Sequence, residues 1–262
     1  METFLRKKKN CLSRIGVHDS GYRCFKHFYL EKVCKHLRHL FPKVVSYNRL
    51  AELEREVAIP LTLFIKKVLL GKCTGISFVD STPLRVCRNQ RIHIHKVFKG
   101  IAQRGKCSMG WFFGFKLHLI CNEKGELLNF MITPGDVDDR KPLEYKAFIE
   151  FIYGKLFGDK GYIGKNLFQR LFVDGIQLII KLKSNMKGAL MSVSDRLLLR
   201  KRAIIETVND ELKNIAQVEH SGHRCFDNFI VNLLGAIAAY CLFPKKPCIN
   251  LNRALDTQLT LF

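Results

Sequence analysis

Two apolar, β-rich runs, WFFGFKLHLIC (111–121) and ELLNFMIT (126–133), flank the tetrapeptide Asn122-Glu123-Lys124-Gly125. That pattern commits the middle of the chain to an antiparallel hairpin. Strand-like runs stand on both sides of it. GISFVDSTPLRV precedes it as a short strand stopped near Pro83, while KLFGD (155–159) and GIQLIIKL (175–182) follow. Helical apolar spacing fills about 140–152, 164–173, 194–217 and 226–243. The order β, β-hairpin, α, β, α, β, α, α predicts a mixed α/β layer fold.

Upstream of Gly71 the character differs. Residues 1–49 carry 12 Lys and Arg against three acids, and CFKHFYLEKVCKHLRHLF has helical spacing with basic residues between. NRLAELEREVAIPLTLFIKKVLL predicts a helix, a break at Pro60 and a second helix. The expected organisation is a basic helical N-terminal region over 1–70 for DNA binding or dimerisation, an α/β domain over 71–243, and a loosely ordered tail over 244–262.

Whole-chain charge speaks to partners. With 44 Lys+Arg against 23 Asp+Glu, the net charge of +21 favours nucleic acid or an anionic membrane surface. The stretch FIVNLLGAIAAYCLF (229–243) is 15 residues long and contains Asn232, so it predicts a buried helix rather than a membrane span. Ten cysteines lie scattered without a CxxC pair, and no apolar signal segment follows METFLRKKKN. Both point to reduced thiols and a cytoplasmic setting.

Against this basic background three carboxylates are conspicuous: Asp80 in FVDSTPL, Asp159 in LFGDKGYIG and Glu206 in RKRAIIETVNDELK. The first two follow apolar strand-like runs, where a buried carboxylate is costly unless paired or bound to metal. Each has an ordinary alternative. Asp80 can cap the Ser81-Thr82-Pro83 turn, and Asp159 can serve as a turn residue before Gly161. Glu206 lies on an amphipathic helix whose core stripe is Ile205, Val208, Leu212 and Ile215. A polar stripe of Arg202, Glu206, Asn209 and Lys213 runs beside it. A solvated Arg202–Glu206 pair is the alternative there. Together, three carboxylates in so basic a chain fit hard divalent cations held against a polyanion.

Other groups carry less. Asp136, Asp138 and Asp139 fit helix N-caps as well as metal ligands. His93-x-His95 and His36-x2-His39 lack the partners a zinc site needs. Trp111, Phe112, Phe113 and Phe115 read as core.

From about Tyr22 to Phe243 the chain resembles the DDE transposases of bacterial insertion sequences, most closely the nine-eighty-two family. Arg202-x3-Glu206-x6-Lys213 is similar to the signature around the family's third acid, although Leu199 stands where a Tyr usually precedes the Arg. SFVDSTPL, GWFFGFKLHL, GDVDDRKPL and GDKGYIG resemble its other blocks in order, and the acids stand 79 and 47 residues apart, similar to the family's spacing. The resemblance implies a ribonuclease-H-like fold and a catalytic domain over 71–243. It further implies Asp80, Asp159 and Glu206 as catalytic metal ligands for two Mg²⁺, with Mn²⁺ as substitute. The implied activity is cutting of transposon ends and joining of the 3′-hydroxyl to target DNA, by a homodimer in the DNA complex. METFLRKKKNCLSRIGVHDSG departs from what precedes this block in the family, so an altered or truncated N-terminus is expected.

Between Ser81 and Asn122 there is no acid, while Arg85, Arg88, Arg91, Lys96, Lys99, Arg104, Lys106 and Lys116 accumulate. Such a run draws in the DNA backbone and makes binding salt-dependent. The expected DNA contacts are Arg202, Lys213, Lys160, Arg85, Arg88 and Arg91. Two rival readings stand beside transposition: a metal-dependent nuclease of the same fold, and a non-catalytic DNA-binding remnant.

Overall fold

The structure, a computed structural model, describes residues 2–22, 24–41, 44–181, 191–219 and 223–250, with backbone alone for 2–9. Positions 251–262 of the expected tail, and Leu182 of the expected strand 175–182, lie outside the described residues.

Six strands form: β1 (Ile76–Cys87), β2 (Gln103–Cys107), β3 (Gly110–Asn122), β4 (Leu127–Pro134), β5 (Gly154–Gly158) and β6 (Ile176–Ile180). They make one mixed sheet in the order β2-β3-β1-β5-β6, with β4 also paired to β3. The β3–β4 hairpin pairs from Phe115↔Pro134 to Cys121↔Leu127. Asn122 closes its turn by accepting the backbone N–H groups of Lys124 and Glu126 at 3.0 Å each. Strands β1, β5 and β6 run parallel. Leu156 and Phe157, successive residues of β5, are both wholly buried, as expected of a parallel strand covered on both faces.

The helices in chain order are α1 (Glu2–Asp19), α2 (Phe25–Phe28), α3 (Cys34–His36), α4 (Tyr47–Leu53) and α5 (Ala58–Phe64). Then come α6 (Lys146–Ile149), α7 (Lys165–Val173), α8 (Val193–Arg200), α9 (Ala203–Asn214) and α10 (Phe226–Leu242). This is the ribonuclease-H-like mixed sheet flanked by helices, with a helical N-terminal region. It divides into two compact units. The first takes Met1–Leu69, Arg85–Ala102 and Asp210–Pro244; the second takes Leu70–Leu84, Gln103–Asn209 and Lys245–Phe262.

In the sheet-bearing unit, Val79, Ile120, Leu128, Leu156, Leu171 and Leu178 belong to one buried cluster. Gly105 and Gly135 let backbone approach backbone: a Cβ on Gly105 would overlap the Gly135 carbonyl, and one on Gly135 would lie 2.7 Å from the Gln103 carbonyl oxygen. In the helical unit α1 packs on α10. A Cβ on Gly235 there would stand 2.9 Å from Arg14 Cγ. Arg14 pairs with Glu54 at 3.2 Å, their side chains 5% and 2% exposed. Burial raises the Glu54 carboxyl to about 7 despite that partner.

Several expectations shift. The strand expected to stop near Pro83 continues to Cys87. Pro83 lies beyond the residues paired with β5, so its missing N–H costs no bond on that side. Strand β2, polar and basic, is not expected from periodicity at all. The helical break falls at the 3-10 turn Glu54–Val57, and Pro60 sits in the first turn of α5, where its missing N–H is tolerated. The helix expected over 140–152 is a 3-10 turn, Lys141–Glu144, followed by the short α6. Helix α1 lies inside the region expected to be helical, in a segment whose spacing marks no particular helix. On α9 the core stripe ends on buried Ala216, while Ile215 is 52% exposed. Phe112, Phe113 and Phe115 are core, but Trp111 is exposed, with the Arg104 guanidinium 4.9 Å above its ring.

Candidate active site

Parallel pairing brings the first two acids together. β1 and β5 are in register through Ile76↔Lys155, Ser77↔Leu156 and Phe78↔Phe157. Asp80 and Asp159 each stand two residues beyond that last pair. Two residues preserve the face of a strand, and paired strands run about 4.8 Å apart. The two acids therefore stand side by side just past the last paired residues of β1 and β5, Asp80 within β1 and Asp159 directly after β5. The preceding rings, Phe78 and Phe157, stack with centroids 5.5 Å apart.

Helix α9 brings the third acid. Asn209 Nδ2 donates to Asp80 Oδ2 at 3.0 Å, tying this helix to β1. Arg202, four residues before Glu206, reaches its Oε1 at 2.6 Å and stands 3.9 Å from Asp80 Oδ1. Burial pushes the Asp80 carboxyl up to about 6; Arg202 and the Ser81 backbone N–H oppose the rise, and the charges of Glu206 and Asp159 add to it. All three acids thus share one electrostatic environment. Asp80 is only 21% exposed and Glu206 54%, with Asp159 also exposed, so the cluster is buried at its base and open outward.

A fourth carboxylate sits close by. Asp139 Oδ1 accepts from Ser81 Oγ at 2.8 Å and from Lys116 Nζ at 2.9 Å, and Lys116 also donates to the Val137 carbonyl at 2.8 Å. Among the acids of GDVDD, Asp138 makes the local turn, accepting the Arg140 N–H at 2.9 Å. The hydrogen bonds from Arg140 hold its carboxyl near 2. Asp139 instead reaches back to β1 and β3. The sequence marks Asp139 only as an N-cap or metal candidate and Asn209 only as a member of the Glu206 stripe, and it does not single out Tyr162, whose buried hydroxyl has no hydrogen-bond partner among the described residues. Their signal was proximity in sequence: Asn209 is three residues from Glu206, and Tyr162 three from Asp159.

The basic candidates occupy different settings. Arg85, Arg88, Arg91 and Lys160 are exposed. Lys213 lies 3.7 Å from Glu219, and Arg202, 18% exposed, is turned onto the acids. Lys116 is 9% exposed and held by Asp139, so this member of the acid-free run is inside the fold rather than on its surface.

The donor set at the acids is entirely oxygen, the chemistry that suits hard divalent cations. Its clustered negative charge, strong enough to help lift Asp80 toward neutrality, also fits one. As the side chains stand, no group of three His, Cys, Asp or Glu among the described residues is placed to hold a metal ion. The Arg202 guanidinium contacts two of the acids instead.

A family model described as a transposase DDE domain matches residues 70–226, more than half of the chain. No curated protein matches the chain, and no solved structure does.

Proposed function

The chain belongs to the DDE-domain transposases, proteins that act on DNA, and on that premise we propose that Asp80, Asp159 and Glu206 are its catalytic acids. The observation that carries this reading is the β1–β5 register, with Asp80 and Asp159 side by side and the Glu206 charge felt at Asp80. These three would hold two Mg²⁺, or Mn²⁺ as substitute, which supply charge neutralisation at the phosphodiester and activation of the attacking oxygen. Asn209 fixes one oxygen of Asp80 and so the direction of the other. Arg202, Lys213, Lys160, Arg85, Arg88 and Arg91 would grip DNA phosphates. The reaction we propose is cleavage at transposon ends by water, followed by attack of the freed 3′-hydroxyl on target DNA. The order and spacing of the blocks support the nine-eighty-two family within the transposases. Residues 1–70 would serve DNA binding or homodimerisation, and 71–243 the chemistry.

The test uses DNA flanking the reading frame, in Mg²⁺ or Mn²⁺. Asp80→Asn, Asp159→Asn and Glu206→Gln should each abolish cleavage and joining while DNA binding persists. Near wild-type cleavage by any one of them removes that residue from the site. Cleavage without joining by the wild-type chain would make it a nuclease of the same fold, and binding without cleavage a remnant.

A further inference from the structure

Tyr162 is placed by the same short segment that carries Asp159. Its backbone N–H bonds the Asp159 carbonyl at 3.0 Å, closing the turn Lys160–Tyr162. The ring folds back over the strand ends: a Cβ on Gly158 would meet Tyr162 Cδ2 at 3.2 Å and Val79 Cγ1 at 3.3 Å. The residue is 2% exposed, yet its hydroxyl has no hydrogen-bond partner among the described residues. Tyr29, in the other unit, shows the usual outcome, donating to the Val45 carbonyl at 2.7 Å.

An unpartnered buried hydroxyl costs about 1–3 kcal/mol, and folded proteins leave few of them. Phenylalanine would fill the same volume without that cost, so packing does not account for the oxygen. Its surroundings do. The ring and Val79 both lie against Gly158, and Gly158 and Val79 directly precede Asp159 and Asp80. A phenol is neutral at pH 7, so beside these carboxylates it is an O–H able to donate to one of them while its lone pairs accept. Water held by a divalent cation is polarised and needs such acceptors, and losing a group that bonds a cation's ligands typically costs about 10–100-fold in affinity.

We propose that the Tyr162 hydroxyl is a positioning group for a divalent cation at the three-acid site, accepting a hydrogen bond from a water in the cation's shell. The proposal rests on the reading of Asp80, Asp159 and Glu206 given above. Tyr162 acts through that water and does not touch the reacting atoms.

Two measurements on the full chain test it: thermal unfolding in EDTA, and Mn²⁺ titration by calorimetry, for wild type, Tyr162→Phe and Asp80→Asn. Tyr162→Phe should unfold in EDTA at the wild-type temperature or above it, and bind Mn²⁺ about tenfold more weakly. Asp80→Asn should lose most of the Mn²⁺ response. If Asp80→Asn responds and Tyr162→Phe binds Mn²⁺ like wild type, the role of Tyr162 is overturned while the three-acid reading stands. A Tyr162→Phe chain that loses stability in EDTA and keeps its Mn²⁺ affinity marks the hydroxyl as bonded to an ordinary structural water, and also overturns the role. If wild type binds no Mn²⁺, or Asp80→Asn binds it unchanged, the three-acid reading fails and takes this proposal with it.

Discussion

Asp80→Asn should make the metal-free protein more stable while abolishing its chemistry. In the folded chain the Asp80 carboxyl is raised from 3.8 to about 6, first by burial and further by Glu206 and Asp159, with Arg202 opposing. One pKa unit corresponds to about 1.4 kcal/mol, so holding this carboxylate charged at pH 7 costs roughly 3 kcal/mol. The side chain is 21% exposed, and solvent screening lowers the figure to about 2 kcal/mol. The amide removes the charge and keeps an oxygen to accept the Asn209 bond. Arg202 retains its 2.6 Å contact with Glu206. In a chain of this size the gain corresponds to a rise of about 5 °C in melting temperature. The pH dependence has a definite sign. Because the folded pKa is raised, the contribution of Asp80 is fully present below about pH 4 and is lost as pH climbs through 6. The advantage of the amide is therefore absent near pH 4 and complete near pH 8. Glu54, His18, His118 and His223 are also shifted, but they titrate alike in both proteins and drop out of the difference. Calorimetry of both proteins in EDTA across this range is the assay. A neutral or negative effect at pH 7, or a gain independent of pH, would refute the electrostatic reasoning.

Two further outcomes are expected. If Lys213 leaves Glu219 for a DNA phosphate, Lys213→Ala should weaken binding of terminal and random DNA alike and lower the salt slope by about one; an unchanged slope assigns the lysine to its ion pair alone. Arg14→Met should destabilise the helical unit by about 3–5 kcal/mol in urea, because it leaves Glu54 buried without its counter-ion, and a loss under 1 kcal/mol would show the pair to be dispensable.

What the sequence made legible follows from the range of the interactions involved. Strands β1, β3, β4, β5 and β6 declare themselves as apolar runs because burial selects their side chains one by one. The segment QRGKC of β2 does not, since its strand character comes from backbone pairing with the start of β3. Pro60 misleads for a related reason: proline disfavours a helix interior but not a first turn, and the distinction depends on where the helix begins. At the site, the three acids stand out as charges at the ends of apolar elements. Their supporting contacts do not, because Asn209 and Asp80 are 129 residues apart and Ser81 and Asp139 are 58 apart. Such pairs meet only when strands and helices are assembled, and nothing in local spacing announces them.

The guanidinium between Asp80 and Glu206 has a consequence for the sequence of events during loading. At two of the three proposed ligands a fixed positive charge competes with any free cation, so the site would bind a cation more weakly before DNA arrives than after. A DNA phosphate competes for the same guanidinium. Each phosphate that draws Arg202 away unmasks carboxylate charge, and substrate and cation then bind with positive heterotropic linkage rather than independently. By reciprocity, cations in the site strengthen DNA binding by the same factor. On the proposed reading, a transposase wired in this way would keep its hydrolytic capacity low in the absence of DNA.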